Sequence, residues 1–76
     1  MNDMKRRALT NAKSALNNAS AVIASVIDSE NDSIDNIPEN LQSSDRFARM
    51  ERAVSLLEDA IDYLDSAMTN IDEASE

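Results

Sequence analysis

The 76-residue sequence contains no cysteine, histidine, glycine or tryptophan, and only one residue each of proline, phenylalanine and tyrosine. Without cysteine there is no disulfide framework and no thiolate metal site. Without histidine there is no usual general base, and without glycine there is no phosphate loop of the Walker or Rossmann type. Sheets and tight turns also need glycine, β-branched and aromatic residues. The composition therefore predicts an all-α protein that is not an enzyme and holds no cofactor.

The charge balance narrows the choice of partners. The net charge of −8 argues against direct binding to nucleic acid or to an anionic membrane. The longest uncharged run, Ser14–Ile27, is too short and too polar to span a bilayer, and no apolar segment of a signal peptide follows Lys5-Arg6-Arg7. We therefore expect a soluble protein of the cytoplasm.

The clearest pattern lies at about residues 45–74, which predict the second of two helices. Its large apolar residues alternate at spacings of three and four, the heptad seam of a helix that packs against another. The seam consists of Phe47, Met50, Val54, Leu57, Ile61, Leu64, Met68 and Ile71.

Further apolar residues widen the apolar surface of this helix beyond its seam. A single antiparallel partner helix covers only a narrow stripe. The additional residues therefore contact either the connector or, as we favour, a second chain. The predicted oligomer interface consists of Leu56, Tyr63, Ala53, Ala60 and Ala67.

A weaker helical pattern covers about residues 2–29. Its predicted seam alternates large with small side chains, which suits interdigitation with the second helix. The seam is Leu9, Ala12, Leu16, Ala19, Ile23 and Val26, with Ala8, Ala15 and Val22 beside it.

The connector, about residues 30–44, contains the only proline. Asn36 and Glu39 have capping-box spacing, which predicts a one-turn helix over Pro38–Leu41. Ser43 or Ser44 then caps the second helix. The prediction is one helical-hairpin domain over residues 1–76.

Charge at the helix ends favours antiparallel packing. Both helices begin with basic residues and end with acidic ones, the wrong sign for a helix dipole. Antiparallel packing places each basic end beside an acidic end, and such an arrangement selects orientation even when single pairs are weak. We therefore expect a long antiparallel αα-hairpin. It should self-associate as a homodimer or higher oligomer, most simply as a four-helix bundle.

Two acidic groups invite a metal hypothesis. Asp28, Glu30, Asp32 and Glu39 have the carboxylate spacing of an EF-hand, but Ser33 stands where the turn needs glycine and Pro38 precedes the last ligand. A solvated acidic loop is the favoured interpretation. Glu58, Asp59, Asp62 and Asp65 lack the histidines of di-metal bundles and point outward, so we expect a solubilising face and no metal site.

The basic residues leave two alternatives open. Arginine beside an aromatic ring is a plausible surface for an anionic nucleotide, because the guanidinium binds phosphate and the ring stacks on the base. The favoured alternative is ion pairing across the hairpin, in which the second helix's arginines meet Asp28, Glu30 and Asp32. The candidate anion-binding residues are Lys5, Arg6, Arg46, Arg49, Arg52 and Tyr63.

The connector also carries a resemblance. The segment Asn36-Ile37-Pro38-Glu39-Asn40-Leu41-Gln42 and the heptad helix after it resemble a group of small two-helix proteins encoded by bacteria and their phages. The resemblance implies a helical hairpin of phage or mobile-element origin and transfers no catalytic residue. Together with the acidic composition it favours an interaction protein that binds and blocks a host protein in the host cytoplasm. The alternative is a helical oligomer that sequesters an anionic nucleotide-type ligand between subunits.

Overall fold

The computed structural model describes all residues from 1 to 76 as an antiparallel pair of helices. Helix α1 covers Asp3–Asp35, a short 3-10 turn covers Glu39–Leu41, and helix α2 covers Asp45–Ala74. The helices pack along their length to give a rod of 59 × 15 × 12 Å without strands. The predicted all-α hairpin is confirmed.

Helix α1 is longer than predicted. Its first turn is capped by Asn2, whose Oδ1 accepts a hydrogen bond from the Lys5 amide at 2.8 Å. It continues past Ser29 to Asp35, because residues 30–35 contain no glycine or proline and Ile34 extends the packing surface. It ends where Ile37 precedes Pro38, since the residue before a proline disfavours helical geometry.

The connector shortens accordingly to residues 36–44. A helical turn forms near the predicted place, at Glu39–Leu41, but no side chain caps it. Asn36 instead closes α1, its amide donating to the Asp32 carbonyl at 3.2 Å. The predicted capping box is therefore wrong, because Asn36 belongs to the end of one helix and not to the start of the next.

Helix α2 follows its prediction closely. Ser44 is the cap, its Oγ accepting from the Phe47 amide at 3.2 Å. At the other end the Ser75 hydroxyl donates to the Ile71 carbonyl at 2.7 Å. Every residue of the predicted α2 seam is buried or half-buried, so the seam faces α1.

Helix α1 packs through a different stripe from the predicted one. Leu9, Leu16 and Ile23 are half-buried as expected, but Ala12, Ala19 and Val26 are exposed. The half-buried or buried residues of α1 alternate at spacings of four and three and are Leu9, Lys13, Leu16, Ser20, Ile23, Ile27, Glu30 and Ile34.

The extended helix explains this rotation. The observed stripe buries Ile27 and half-buries Ile34, whereas the predicted stripe would have packed Val26 and then Ser33. Isoleucine removes more apolar area from water than valine or serine does. Lys13 is tolerated in the stripe because its aliphatic stem packs while its ammonium reaches Asp72.

The core of the hairpin is thin. Only Ile27 and Val54 are buried, with 9% and 7% of their surface exposed. Seven large apolar side chains are exposed, among them Val22, Val26, Leu56 and Tyr63. A single hairpin therefore leaves much of its apolar surface in water.

Candidate interaction surfaces

An apolar stripe runs along α1 beside its packing surface. Its members alternate at spacings of four and three, so they form a second heptad seam that no helix of the chain covers. Val22 is 64% exposed and Val26 is 49% exposed. The stripe consists of Ala8, Ala12, Ala15, Ala19, Val22 and Val26.

A matching stripe runs along α2. It has the same spacing and contains the five residues predicted as an oligomer interface. Leu56 is 54% exposed and Tyr63 is 75% exposed, so neither packs against the connector. The stripe consists of Ala53, Leu56, Ala60, Tyr63, Ala67 and Ala74.

Both stripes lie on the same side of the hairpin. On each helix, every residue of the stripe directly precedes a residue of the packing surface in the sequence. One residue corresponds to a rotation of roughly 100° about the helix axis, so both stripes are displaced from the packing surface by that angle in the same rotational sense. In an antiparallel pair, equal displacements of that kind bring the two flanks to one side. The two stripes together form a single surface, called here the apolar face.

The apolar face contains no carboxylate, although the chain has 15 acidic residues. Carboxylates of α2 lie on the opposite side, beside the uncharged Thr10, Asn17 and Asn31 of α1. This second surface, called here the acidic face, carries Glu51, Glu58, Asp62, Asp65 and Asp72. The hairpin thus separates apolar and anionic surfaces on opposite sides.

Ion pairs occur only at the end of the rod where the chain termini meet. Lys13 pairs with Asp72 between the helices, and Arg6 lies 3.4 Å from Asp3 in its own first turn. The Arg6 Nε also donates to the Ser75 carbonyl at 3.0 Å. The basic start of α1 therefore does contact the end of α2, as the charge pattern indicates.

The connector end shows no such pairing. Arg46, Arg49 and Arg52 form no ion pair, so the predicted contacts with Asp28, Glu30 and Asp32 are absent. One reason is that Glu30 faces α2 in the packing surface, while Asp28 and Asp32 point to other sides of the longer α1. These three arginines remain free within the chain.

The candidate anion-binding residues do not form one site within the chain. Lys5 and Arg6 lie at the terminal end, whereas the three arginines lie at the connector end. Arg49 and Tyr63 share a flank but are separated by roughly 21 Å of helix, at 1.5 Å per residue. Only Arg46 borders the open depression of about 410 Å³ at the connector, which Ser33, Asn36, Ile37, Pro38, Leu41 and Ser44 also line.

The acidic residues with EF-hand spacing are also separated. Asp28, Glu30 and Asp32 lie within α1, where residues two apart point to different sides, and Glu39 lies in the 3-10 turn. Glu58, Asp59, Asp62 and Asp65 are all exposed on α2. No group of three acidic side chains lies close enough to hold one metal ion.

Neither helix has the length and the continuous apolar character needed to cross a bilayer. Comparison of the chain with protein-family models, curated proteins and solved structures finds no match.

Proposed function

We propose that this chain is a non-enzymatic interaction protein that self-associates through its apolar face and binds a partner protein through its acidic face. The observation that carries the proposal is the separation of the two surfaces. One side of the hairpin exposes apolar side chains and no carboxylate, and the other exposes five carboxylates. Self-association of two hairpins gives a four-helix bundle.

Exposed apolar surface supports the self-association. Contiguous apolar patches on soluble proteins mark interaction sites. Leu56, Tyr63, Val22 and Val26 are each about half exposed or more. Burying a large apolar side chain contributes about 1.5–3 kcal/mol, and a two-fold interface buries each of these four residues twice.

Free carboxylates support the binding of a basic partner. Of the five carboxylates of the acidic face, only Asp72 is in an ion pair. The other four are available to attract a positively charged surface, such as one that otherwise takes nucleic acid, and they accelerate the encounter. The resemblance to phage proteins supports a host protein as the partner, in the host cytoplasm.

The binding test compares two charge-reversal variants of equal net charge. Glu58→Lys with Asp62→Lys and Asp65→Lys reverses the acidic face, whereas Asp59→Lys with Glu73→Lys and Glu76→Lys alters exposed carboxylates outside it. Quantitative mass spectrometry then measures the host proteins retained by each immobilised chain. We expect a basic protein that the wild type and the control variant retain and the face variant loses. Equal retention by all three chains contradicts the proposal.

The second candidate function is the sequestration of an anionic nucleotide-type ligand between subunits. The observation that favours it is the absence of ion pairs at Arg46, Arg49 and Arg52. Native mass spectrometry of the protein purified from cells tests it. This function predicts a small anion that co-purifies with the oligomer and that Arg49→Gln releases. An oligomer that carries no additional mass argues against it.

A further inference from the structure

We infer that two copies of the hairpin pair with their connectors at opposite ends, so that each helix lies antiparallel on its own counterpart. This inference rests on the self-association proposed above and specifies its geometry. It follows from the order in which large and small side chains occur along the apolar face.

The large side chains of the apolar face form one cluster. The hydrogen bond between Arg6 and Ser75 and the ion pair between Lys13 and Asp72 align the two helices. In this alignment the large residues of the α1 stripe lie level with those of the α2 stripe, within roughly one helical turn. The cluster, called here the raised cluster, consists of Val22, Val26, Leu56 and Tyr63.

The rest of the apolar face, towards the chain termini, is lined by small side chains. On each helix the stripe positions between the raised cluster and the terminus are alanine, apart from Asn70. These alanines, called here the alanine stretch, are Ala8, Ala12, Ala15 and Ala19 on α1 and Ala67 and Ala74 on α2. Side-chain size therefore does not distinguish the two helices, but it does distinguish the two ends of the face.

Connectors at the same end would set one raised cluster against the other. A two-fold axis parallel to the rod places each level of one copy opposite the same level of the second, so that Val26 would meet Leu56. The two alanine stretches would then face each other across a gap, because the distance between helix axes depends on the side chains in contact. Atoms that line such a gap lose their dispersion contacts.

A two-fold axis that crosses the rod removes this conflict on α1. Placed midway between Ala15 and Ala19, the axis sets the α1 stripe against itself in reverse order. The raised cluster of each copy then lies on the alanine stretch of the other. The resulting pairs on α1 are Val22 with Ala12 and Val26 with Ala8.

The same axis gives the same result on α2. The contacts that align the two helices place residue 65 of α2 level with residue 17 of α1, to within one turn. The axis therefore passes midway between Tyr63 and Ala67, and it pairs Tyr63 with Ala67 and Leu56 with Ala74. All four large residues then meet alanine, and large side chains insert between small ones in both helix pairs.

Charge at the ends of the contact agrees with this arrangement. Lys5 continues the α1 stripe and would lie within one turn of Asp32 of the second copy. Arg52, which forms no ion pair in its own chain, would lie beside the acidic last turn of the other α2. Asp59 and Glu73 of the two copies also approach each other, at an exposed edge where salt screens the repulsion. Exposed charges contribute little, so side-chain size decides the orientation.

The first test couples two residues that cannot touch within one chain. Ala12 and Val22 are separated by roughly 15 Å of helix, and pairing with connectors at opposite ends brings them into contact between copies. Ala12→Leu overpacks this contact and should raise the dissociation constant of the dimer about tenfold or more. Adding Val22→Ala should recover most of that loss, as measured by sedimentation equilibrium.

Two further variants complete this test. Val22→Ala alone should weaken the dimer, because it removes a side chain from the contact. Ala24→Leu adds the same bulk on the opposite side of α1 and should leave the dissociation constant unchanged. If the losses from Ala12→Leu and Val22→Ala simply add in the double variant, the two residues do not meet and the inference is overturned.

Spin labels measure the orientation directly. The chain has no cysteine, so Asn18→Cys and Asn40→Cys each carry a single label. Connectors at opposite ends predict a short distance at Asn18, near the axis, of less than about 30 Å, because neighbouring helix axes lie about 8–10 Å apart. They predict a distance near the 59 Å length of the rod at Asn40, in the 3-10 turn.

The outcomes distinguish the two proposals. Short distances at both labels would overturn the inference and leave self-association intact. A wild-type chain that is monomeric at tens of micromolar overturns both this inference and the proposed self-association.

Discussion

At the scale of the residue, burial is concentrated in very few side chains. Ile27 and Val54 are the only buried residues, and most of the packing surface is half-buried. Exposure was predictable for Leu56 and Tyr63, because they lie outside a complete seam on a helix with one partner. The exposure of Ala12, Ala19 and Val26 was not predictable. Leu9, Leu16 and Ile23 belong both to the predicted stripe, which contains these three residues, and to the observed stripe beside it.

Truncation at Ile27 tests the observed packing of α1. Ile27→Ala removes a buried side chain from the thin core, and we expect it to lower the free energy of unfolding by about 2–5 kcal/mol. Met4→Ala is the control, because Met4 is 79% exposed and its truncation should change stability by less than about 0.5 kcal/mol. Urea unfolding measures both. Equal effects would show that α1 packs through another stripe.

Charge placed at Leu56 and Tyr63 tests the α2 half of the apolar face. The double variant Leu56→Glu with Tyr63→Glu places two charges in the apolar face, where an interface would have to desolvate them, and glutamate preserves the helix. Light scattering at tens of micromolar should show half the wild-type mass. A double variant whose mass equals that of the wild type would exclude these residues from the interface.

At the scale of the element, capping and proline placement decide where the helices end. The start of α2 was predictable because Ser44 precedes an acidic first turn and an apolar seam. The end of α1 was not, because Asp28, Glu30 and Asp32 read as loop residues although they are compatible with a helix. That misplaced end, at Ser29 instead of Asp35, removed Ile34 from the pattern and with it the signal for the correct stripe.

Two neighbouring serines provide a direct test of the α2 cap. Ser44 accepts a hydrogen bond from the Phe47 amide, whereas Ser43 makes no side-chain hydrogen bond. Ser44→Ala should therefore lower the free energy of unfolding by about 1 kcal/mol. Ser43→Ala should change it by less than about 0.5 kcal/mol. Thermal unfolding of the two variants compares them, and equal losses would mean that the hydroxyl of Ser44 does not stabilise α2.

At the scale of the whole molecule, the hairpin is long and has little interior. A rod of 59 × 15 × 12 Å buries two residues, which is little apolar burial to set against the entropy of ordering the chain. The topology and the α2 seam followed from periodicity and charge. The apolar face as one surface did not, because it requires the rotation of α1 about its own axis, and that rotation is fixed only when the helices pack.

Stability should therefore depend on protein concentration. If the apolar face binds a second copy, assembly stabilises the folded chain by mass action, and the melting temperature rises as the protein is concentrated. Calorimetry from about 10 to 1,000 micromolar measures the shift. The Leu56→Glu and Tyr63→Glu double variant serves as the reference, with a melting temperature that stays constant over this range. A constant wild-type value would indicate a hairpin that is stable alone.

The opposite placement of the two faces has a consequence for potency. When two hairpins join through their apolar faces, their acidic faces point away from each other on the two sides of the bundle. The assembly is then bivalent, and a partner that is itself dimeric or arrayed is engaged twice. The second contact forms at an effective concentration set by the geometry of the bundle and no longer by the amount of protein. If the chain assembles and binds in this way, its release from such a partner should be slower than release from a single acidic surface.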